Sequence, residues 1–554
     1  MVALLVVANV AAFAAVDEKT IKITGLAEGD NVKYYKVIEW TDAGWSFVSP
    51  FDTLTTEQKQ QITGYKGPDP NDATKQIVIE GKINDTLAAA MAGKVTSSTA
   101  AIVADGDTLE TGETEWSKTN VAPGLYMALI SAAAPKLGQD MVIYNPVFMA
   151  VQADNAGSEI GLPTNYDESG TAKKSTVTLD KKTHSAGETE WGKATTEDVG
   201  DIIDYKIETT VPAYLDSWTN PVFTVTDTLT DGLTFAVGEN DALTAITVTG
   251  ATTTMVEGTH YSVTKSASTF TITFTESYLK DRVAAEKVTI TYQAKITDDA
   301  KNVNPETNTA TIEYSRNPNS ASDHGTKEDK TKHYTFDIDA GLLGNESYTT
   351  SEIIKVAVDE AGNPILDEKT YSNTTKHHPL AGAEFQIFTN PECTTHYTNS
   401  TIKEDTVFTS SDMGLLNIKG LDEGTYYLKE TKAAPGGYML LTEKLKFVIT
   451  ATYDDVAATD TCNAYKVLKS YTVDTYTSKD NYATAITSSY TMDNGTVEKV
   501  ATPTDRSREV ENMKGVQLPS TGGMGTTILY IGGSILVILA AVLLITKRRM
   551  SADE

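Results

Sequence analysis

Basic charge is scarce in this chain: 46 Lys and Arg stand against 75 Asp and Glu, a net charge of −29. A surface of that sign repels nucleic acid and anionic lipid, so neither is expected as a partner. Histidine is equally sparse. Its seven copies are scattered, and the adjacent His377-His378 has no Cys or carboxylate pattern around it, so no metal and no cofactor are expected. Paired catalytic carboxylates and a Ser/His/Asp set in a cleft-forming context are missing too, which argues against an enzyme. Long helical patterns are lacking; only 54–91, including 83–91, offers modest helix candidates. What is abundant is Thr, Gly, Tyr and Val in short alternating runs, the composition of strands and turns. The predicted class is mainly β, with three tandem Ig-like β-sandwich domains followed by a C-terminal transmembrane segment.

Residues 1–15 read as the apolar core of a signal peptide, with Ala12, Ala14 and Ala15 suited to cleavage. The basic flank of such a signal is missing, which leaves room for a start upstream of Met1. A first domain is expected over 16–165. The turn-rich, aperiodic passage 155–174 reads as a connector into a second domain over 166–325. The polar run 317–330 marks the next boundary, a third domain fills 326–515, and 516–554 forms the C-terminal signal. A weak internal repeat relates 123–130 to 423–430. Aligned on Gly124 and Gly424, Ile130 stands where the later copy has Glu430.

Period-2 reading of the strands aims several polar side chains inward. Lys181 shares a face with Val177 and Leu179, Asp227 with Phe223, Val225 and Leu229, and Asn308 with Ala310, Ile312 and Tyr314. Buried charge is costly unless paired or neutralised. One explanation is a buried Lys–Asp ion pair with a hydrogen-bonded Asn. The other is a spontaneous isopeptide bond between Lys181 and Asn308, with Asp227 as proton relay. Neutralising the amine at pH 7 costs about 4.6 kcal/mol in water, and full burial can shift a lysine by about 3–5 pH units, enough to supply most of that. The third domain offers a matching set. Glu430 lies on the inward face with Tyr426 and Leu428, Lys355 is the expected nucleophile and Asn512 the amide partner. Both faces of the strand around Lys355 are apolar, so alternation does not decide which way that lysine points. With Ile130 in place of the acid, no such bond is expected in the first domain.

At the C-terminal end Leu518, Pro519, Ser520, Thr521 and Gly522 precede an apolar run over 526–546 and then Lys547-Arg548-Arg549. That length crosses a bilayer as a helix, and the basic triplet stays cytoplasmic. The plain alternative is an ordinary membrane anchor. The order of pentapeptide, apolar span and basic tail resembles the sorting signal read by sortase transpeptidases of Gram-positive bacteria. That resemblance implies cleavage between Thr521 and Gly522 and transfer of the Thr521 carbonyl to an amine. In an exported chain, Cys393 and Cys462 are expected as a disulfide.

Taken together, these residues resemble the backbone (major shaft) pilins of sortase-assembled Gram-positive pili, with a middle domain of the collagen-adhesin A type and a last domain of the B type. Residues 427–438 look like the E-box of such pilins, which supplies Glu430 as the proton relay, and a cysteine pair in the last domain occurs in some of them. The resemblance implies a surface protein without enzymatic turnover, joined covalently by a pilus-class sortase to identical subunits, to tip or basal minor pilins and finally to peptidoglycan. The family's linking lysine stands in a Tyr-Pro-Lys context that this chain lacks. Lys173 and Lys174 occupy the matching connector, and either is a candidate linking amine or simply a solvated side chain. A singly anchored adhesin or minor pilin that binds host matrix or glycans is the competing expectation.

Overall fold

The computed structural model describes residues 19–41, 43–69, 72–96, 106–155, 158–160, 165–300, 305–338, 352–365, 370–371, 375–376, 378–493, 496–498, 508–515 and 524–550. The expected leader at 1–15 and the pentapeptide at 518–522 lie outside the described residues. The chain forms two compact units, one of residues 1–335 with 452–469, the other of 336–451 with 470–554.

In the first unit the strand Gly124–Ser131 is buried along its whole length. Its alternating side chains feed two cores. Leu125, Met127 and Leu129 pack with Ile62, Leu87, Met91 and Val95, carried by the helices Thr56–Thr63 and Asp85–Thr96. Tyr126, Ala128 and Ile130 pack with Ile21, Ile23, Trp116 and Val121. The first of these helices starts at a capping box: Thr55 accepts from the Gln58 N–H while the Gln58 side chain accepts from the Thr55 N–H.

Further along the same unit, two six-stranded sheets enclose one large apolar core. One sheet includes Glu286–Ile296, Ile202–Val211, Lys174–His184 and Met141–Tyr144; the other includes His324–Tyr334, Glu306–Ser315, Phe223–Leu229 and Thr269–Phe274. Burial alternates residue by residue in Ile202–Val211 and Glu286–Ile296, as expected for strands with one face on a core. Lys181 therefore projects from the first sheet, and Asp227 and Asn308 from the second.

The run 317–330, read from sequence as a connector, contributes the start of the strand His324–Tyr334. Polar residues fill its buried face, and they are satisfied there. Lys327 Nζ donates to the carbonyls of Thr459 and Asp460, and the Asp329 carboxylate accepts from the Lys181 N–H. Within the same unit the Glu328 N–H donates to Thr461 O at 2.7 Å and the Asn463 N–H to Glu328 O at 2.8 Å, which fastens the segment 452–469 along this strand.

The second unit contains Glu384–Phe388, Gly424–Lys432 and Ile486–Asp493 of a seven-stranded sheet, together with residues 444–451 and 470–477 of its two long strands. Beside it Ile353–Val358 and Arg508–Met513 run parallel, with Lys355 opposite Val510 and Ala357 opposite Asn512. The helix Met524–Met550 ends the described chain, and its segment Ile528–Arg549 is long and apolar enough to cross a membrane.

Candidate functional site

The polar residues singled out in the sequence meet in two centres. In the first unit Lys181, Asp227 and Asn308 are fully buried. Lys181 Nζ lies 2.5 Å from Asp227 Oδ2. Tyr292, on the inward face of Glu286–Ile296, joins the three: Lys181 Nζ donates to its hydroxyl, that hydroxyl donates to Asp227 Oδ2 at 2.8 Å, and Asn308 Nδ2 donates to it at 3.2 Å. The Tyr292 ring stacks on Tyr205 with centroids 5.2 Å apart, and Lys181 Nζ sits 5.0 Å and 5.1 Å from the two ring centroids. Burial pulls the Lys181 pKa down and pushes the Asp227 pKa up, although each opposes the shift of the other. Burial also lifts both phenols well above their usual range. Asp227 Oδ1 and Asn308 Oδ1 have no hydrogen-bond partner, an arrangement that costs about 1–3 kcal/mol per buried group.

The backbone of Lys181 is held as firmly as its side chain. Its N–H donates to Asp329 Oδ2 at 2.8 Å, and Lys193 Nζ bonds both the Lys181 carbonyl and Asp329 Oδ2, the latter at 2.7 Å.

In the second unit Lys355, Glu430 and Asn512 are buried in the same way. The strand Ile353–Val358 is buried on both faces, so only the structure reveals that Lys355 turns toward the acid. Its Nζ lies 3.0 Å from Glu430 Oε1, within ion-pair range but not aligned as a hydrogen bond. Asn512 Nδ2 donates to Glu430 Oε2 and to the Met439 carbonyl, both at 2.9 Å, and the Leu441 N–H donates to Glu430 Oε2 at 2.6 Å. Asn512 Oδ1 has no partner. Burial pulls the Lys355 pKa down to about 8, against the pull of Glu430.

In the first region Ile130 is buried among apolar side chains. A buried carboxylate close by, Asp30, precedes the strand in which Val32 pairs with Ile130, and it accepts from Tyr144 OH at 2.6 Å and from the N–H groups of Ala27 and Ala133. Lys173 and Lys174 are exposed where the strand Lys174–His184 begins.

The expected Cys393–Cys462 disulfide is not present, and both thiols are free. The two residues belong to different compact units. Cys393 is buried in a turn whose N–H donates to Asn390 O at 3.0 Å. Cys462 lies in the segment fastened along His324–Tyr334, where it bridges to Glu328.

Sequence reasoning missed Tyr292, Tyr205, Asp329 and Lys193. For Tyr292 the signal was available: the run Val288, Ile290, Tyr292, Ala294 puts a phenol on the apolar face, and a buried hydroxyl needs a partner. The backbone groups of Met439 and Leu441 leave no mark in side-chain patterning.

Residues 199–318 match the Gram-positive pilin backbone subunit 2, Cna-B-like domain; 368–462 match the SpaA prealbumin-like fold domain; and 511–551 match the LPXTG cell wall anchor motif. The trypsin-resistant surface T6 protein of Streptococcus pyogenes serotype M6 is 26% identical over 464 residues, covering 77% of this chain and 79% of that one. Among solved structures, the T6 backbone pilin of serotype M6 Streptococcus pyogenes, described as modular and three-domain, superposes with a TM-score of 0.52 at 19% identity, over 90% of this chain and 99% of that one. The full-length major pilin SpaD of Corynebacterium diphtheriae gives 0.43 at 15% identity, over 90% and 98%. With a pilin-backbone domain, a prealbumin-like domain and an LPXTG anchor in order on one mainly β chain, this is a structural backbone pilin of the Gram-positive, cell-wall-anchored kind.

Proposed function

We propose that this pilin is the major shaft subunit, joined by a pilus-class sortase through the Thr521 carbonyl to Lys173 or Lys174 of the next copy, and that intramolecular isopeptide bonds stiffen it. Three domains, 16–165, 166–325 and 326–515, belong to the same reading, as do tip or basal minor pilins and a final link to peptidoglycan. Lys181 bonds to Asn308 with Asp227 as relay, and Lys355 to Asn512 with Glu430. In each case the neutral lysine amine attacks the Asn Cγ, the Nζ–Cγ bond forms, and the Cγ–Nδ2 bond breaks. Nδ2 leaves as ammonia, carrying a proton given up by the amine. The observation that supports this most is the repeated arrangement of a buried lysine against a buried acid with a carboxamide in reach. In both centres the amide oxygen lacks a donor, and at the first a protonated Asp227 would provide one while polarising the carbonyl for attack.

Intact-mass and peptide mapping of the purified ectodomain tests the cross-links. Two ammonia losses, one on each Lys–Asn pair, are expected; a mass equal to that of the unmodified chain would sink the reading. Wall extracts boiled in detergent test the polymer. A high-mass ladder in the wild type should collapse to monomer in a Lys173→Ala/Lys174→Ala variant, and a ladder that persists would move the linking amine elsewhere.

A further inference from the structure

We infer that Tyr292 is a catalytic residue of the Lys181 centre, its phenolic oxygen carrying the proton that Lys181 Nζ gives up to the Asn308 Nδ2 that departs. This rests on the isopeptide reading of that centre. An amide-exchange reaction must move one proton from the attacking nitrogen to the leaving one, and the phenolic oxygen of Tyr292 contacts both: Lys181 Nζ donates to it, and Asn308 Nδ2 donates to it at 3.2 Å. Its own proton rests on Asp227 Oδ2 at 2.8 Å. Rotation about the phenolic C–O bond turns that proton toward Nδ2 without moving the ring.

The ring is well fixed for the task. It stacks on Tyr205 with an interplanar angle of 6° and meets Phe270 edge-on at 4.8 Å and Phe235 at 5.7 Å. Burial keeps the phenol protonated at neutral pH, so it acts as a donor that is refilled within the same step. As the Nζ–Cγ bond forms, Nζ passes one proton to the Tyr292 oxygen and the phenolic proton passes to Nδ2. The Cγ–Nδ2 bond breaks, ammonia leaves, and Tyr292 and Asp227 end as they began. No oxidant or co-reactant is required. The Lys355 centre manages the same transfer differently, because there the leaving Asn512 Nδ2 already donates to the acid, Glu430 Oε2, at 2.9 Å.

The test is a pulse-chase of the full chain, following the Lys181–Asn308 and Lys355–Asn512 cross-linked peptides by mass spectrometry after digestion. Tyr292→Phe keeps the ring and its stacking and removes the oxygen. It should slow the first link by roughly 10²-fold or more and leave the second at the wild-type rate, while limited proteolysis of the first unit reports that it has folded. Asp227→Ala in parallel should abolish the first link. A wild type without the first cross-linked peptide would overturn the reading of the centre itself. A wild type with it, and Tyr292→Phe linking just as fast, would overturn the role of Tyr292 alone. Should Tyr292→Phe fail to fold, 3-fluorotyrosine placed at 292 keeps the ring and hydroxyl while making the phenol more acidic. A changed first-link rate is then expected, and an unchanged rate overturns the inference.

Discussion

The Lys181 and Lys355 centres hold the same three functional groups on different frameworks. Lys181 reaches from one sheet of a sandwich to Asp227 and Asn308 on the other. Lys355 and Asn512 lie on neighbouring strands of a parallel pair. At the first centre a side-chain hydroxyl, that of Tyr292, links the groups; at the second, Asn512 bonds Glu430 directly, and backbone groups of Met439 and Leu441 hold the two in place. A centre completed by side chains can be disabled by substitution at more positions than one completed by the main chain.

The largest expected difference follows from removing the acid. Asp227→Ala leaves Lys181 buried without its charge partner and unlinked, costing about 3–5 kcal/mol as well as the link, so thermal unfolding and trypsin resistance of the first unit should collapse. Glu430→Ala should do the same to the second unit only. Differential scanning calorimetry with limited proteolysis checks this, and a loss shared by both units in either variant would break the comparison.

A smaller effect concerns pH. Asn512→Ala keeps Lys355 beside Glu430 but unlinked, with the lysine pKa pulled down to about 8 from an ordinary 10.5. Between those values the unfolded chain binds more protons than the folded one, so stability rises with pH across that window. Below about 8 both states are protonated and this contribution is flat. Denaturant midpoints should show a gain of about 1–3 kcal/mol from pH 7.5 to 10 relative to an Asn512→Ala/Lys355→Met double variant. Equal slopes in the two would place Lys355 at its ordinary pKa.

The smallest effect sharpens the contrast between side chain and backbone. Leu441→Ala retains the N–H that bonds Glu430, so the Lys355–Asn512 link should form at the wild-type rate by peptide mapping, with a stability change within about 0.5 kcal/mol. A slowed link would show that the Leu441 side chain itself shapes the centre.

Much of this was legible in the sequence because the strands of the middle sheets alternate cleanly. Lys181, Asp227 and Asn308 fall on the buried phase of their strands, and period 2 alone aims them inward. Glu430 is legible for the same reason. Lys355 is not, since every residue of Ile353–Val358 is buried and the pattern carries no phase. The strand His324–Tyr334 looked like a connector because its inward residues are Lys327, Asp329, Thr331 and His333. Polarity there reflects partners contributed from distant parts of the chain, such as the carbonyls of Thr459 and Asp460, which no local window contains. The cysteine pairing rested on composition and compartment alone, whereas whether two thiols meet depends on tertiary placement.

The strand Lys174–His184 begins at one candidate linking lysine and carries Lys181 further along. In a filament joined through that amine, and with the proposed bond to Asn308 formed, tension would enter the subunit at the head of this strand and pass almost at once to Lys181, then to Asn308 and on toward the C-terminal end. Residues 19–151 lie before the point of entry. They would lie off the covalent path of the pull, so the region that has Ile130 in the place of the acid would carry less of the stretching force than the linked domains.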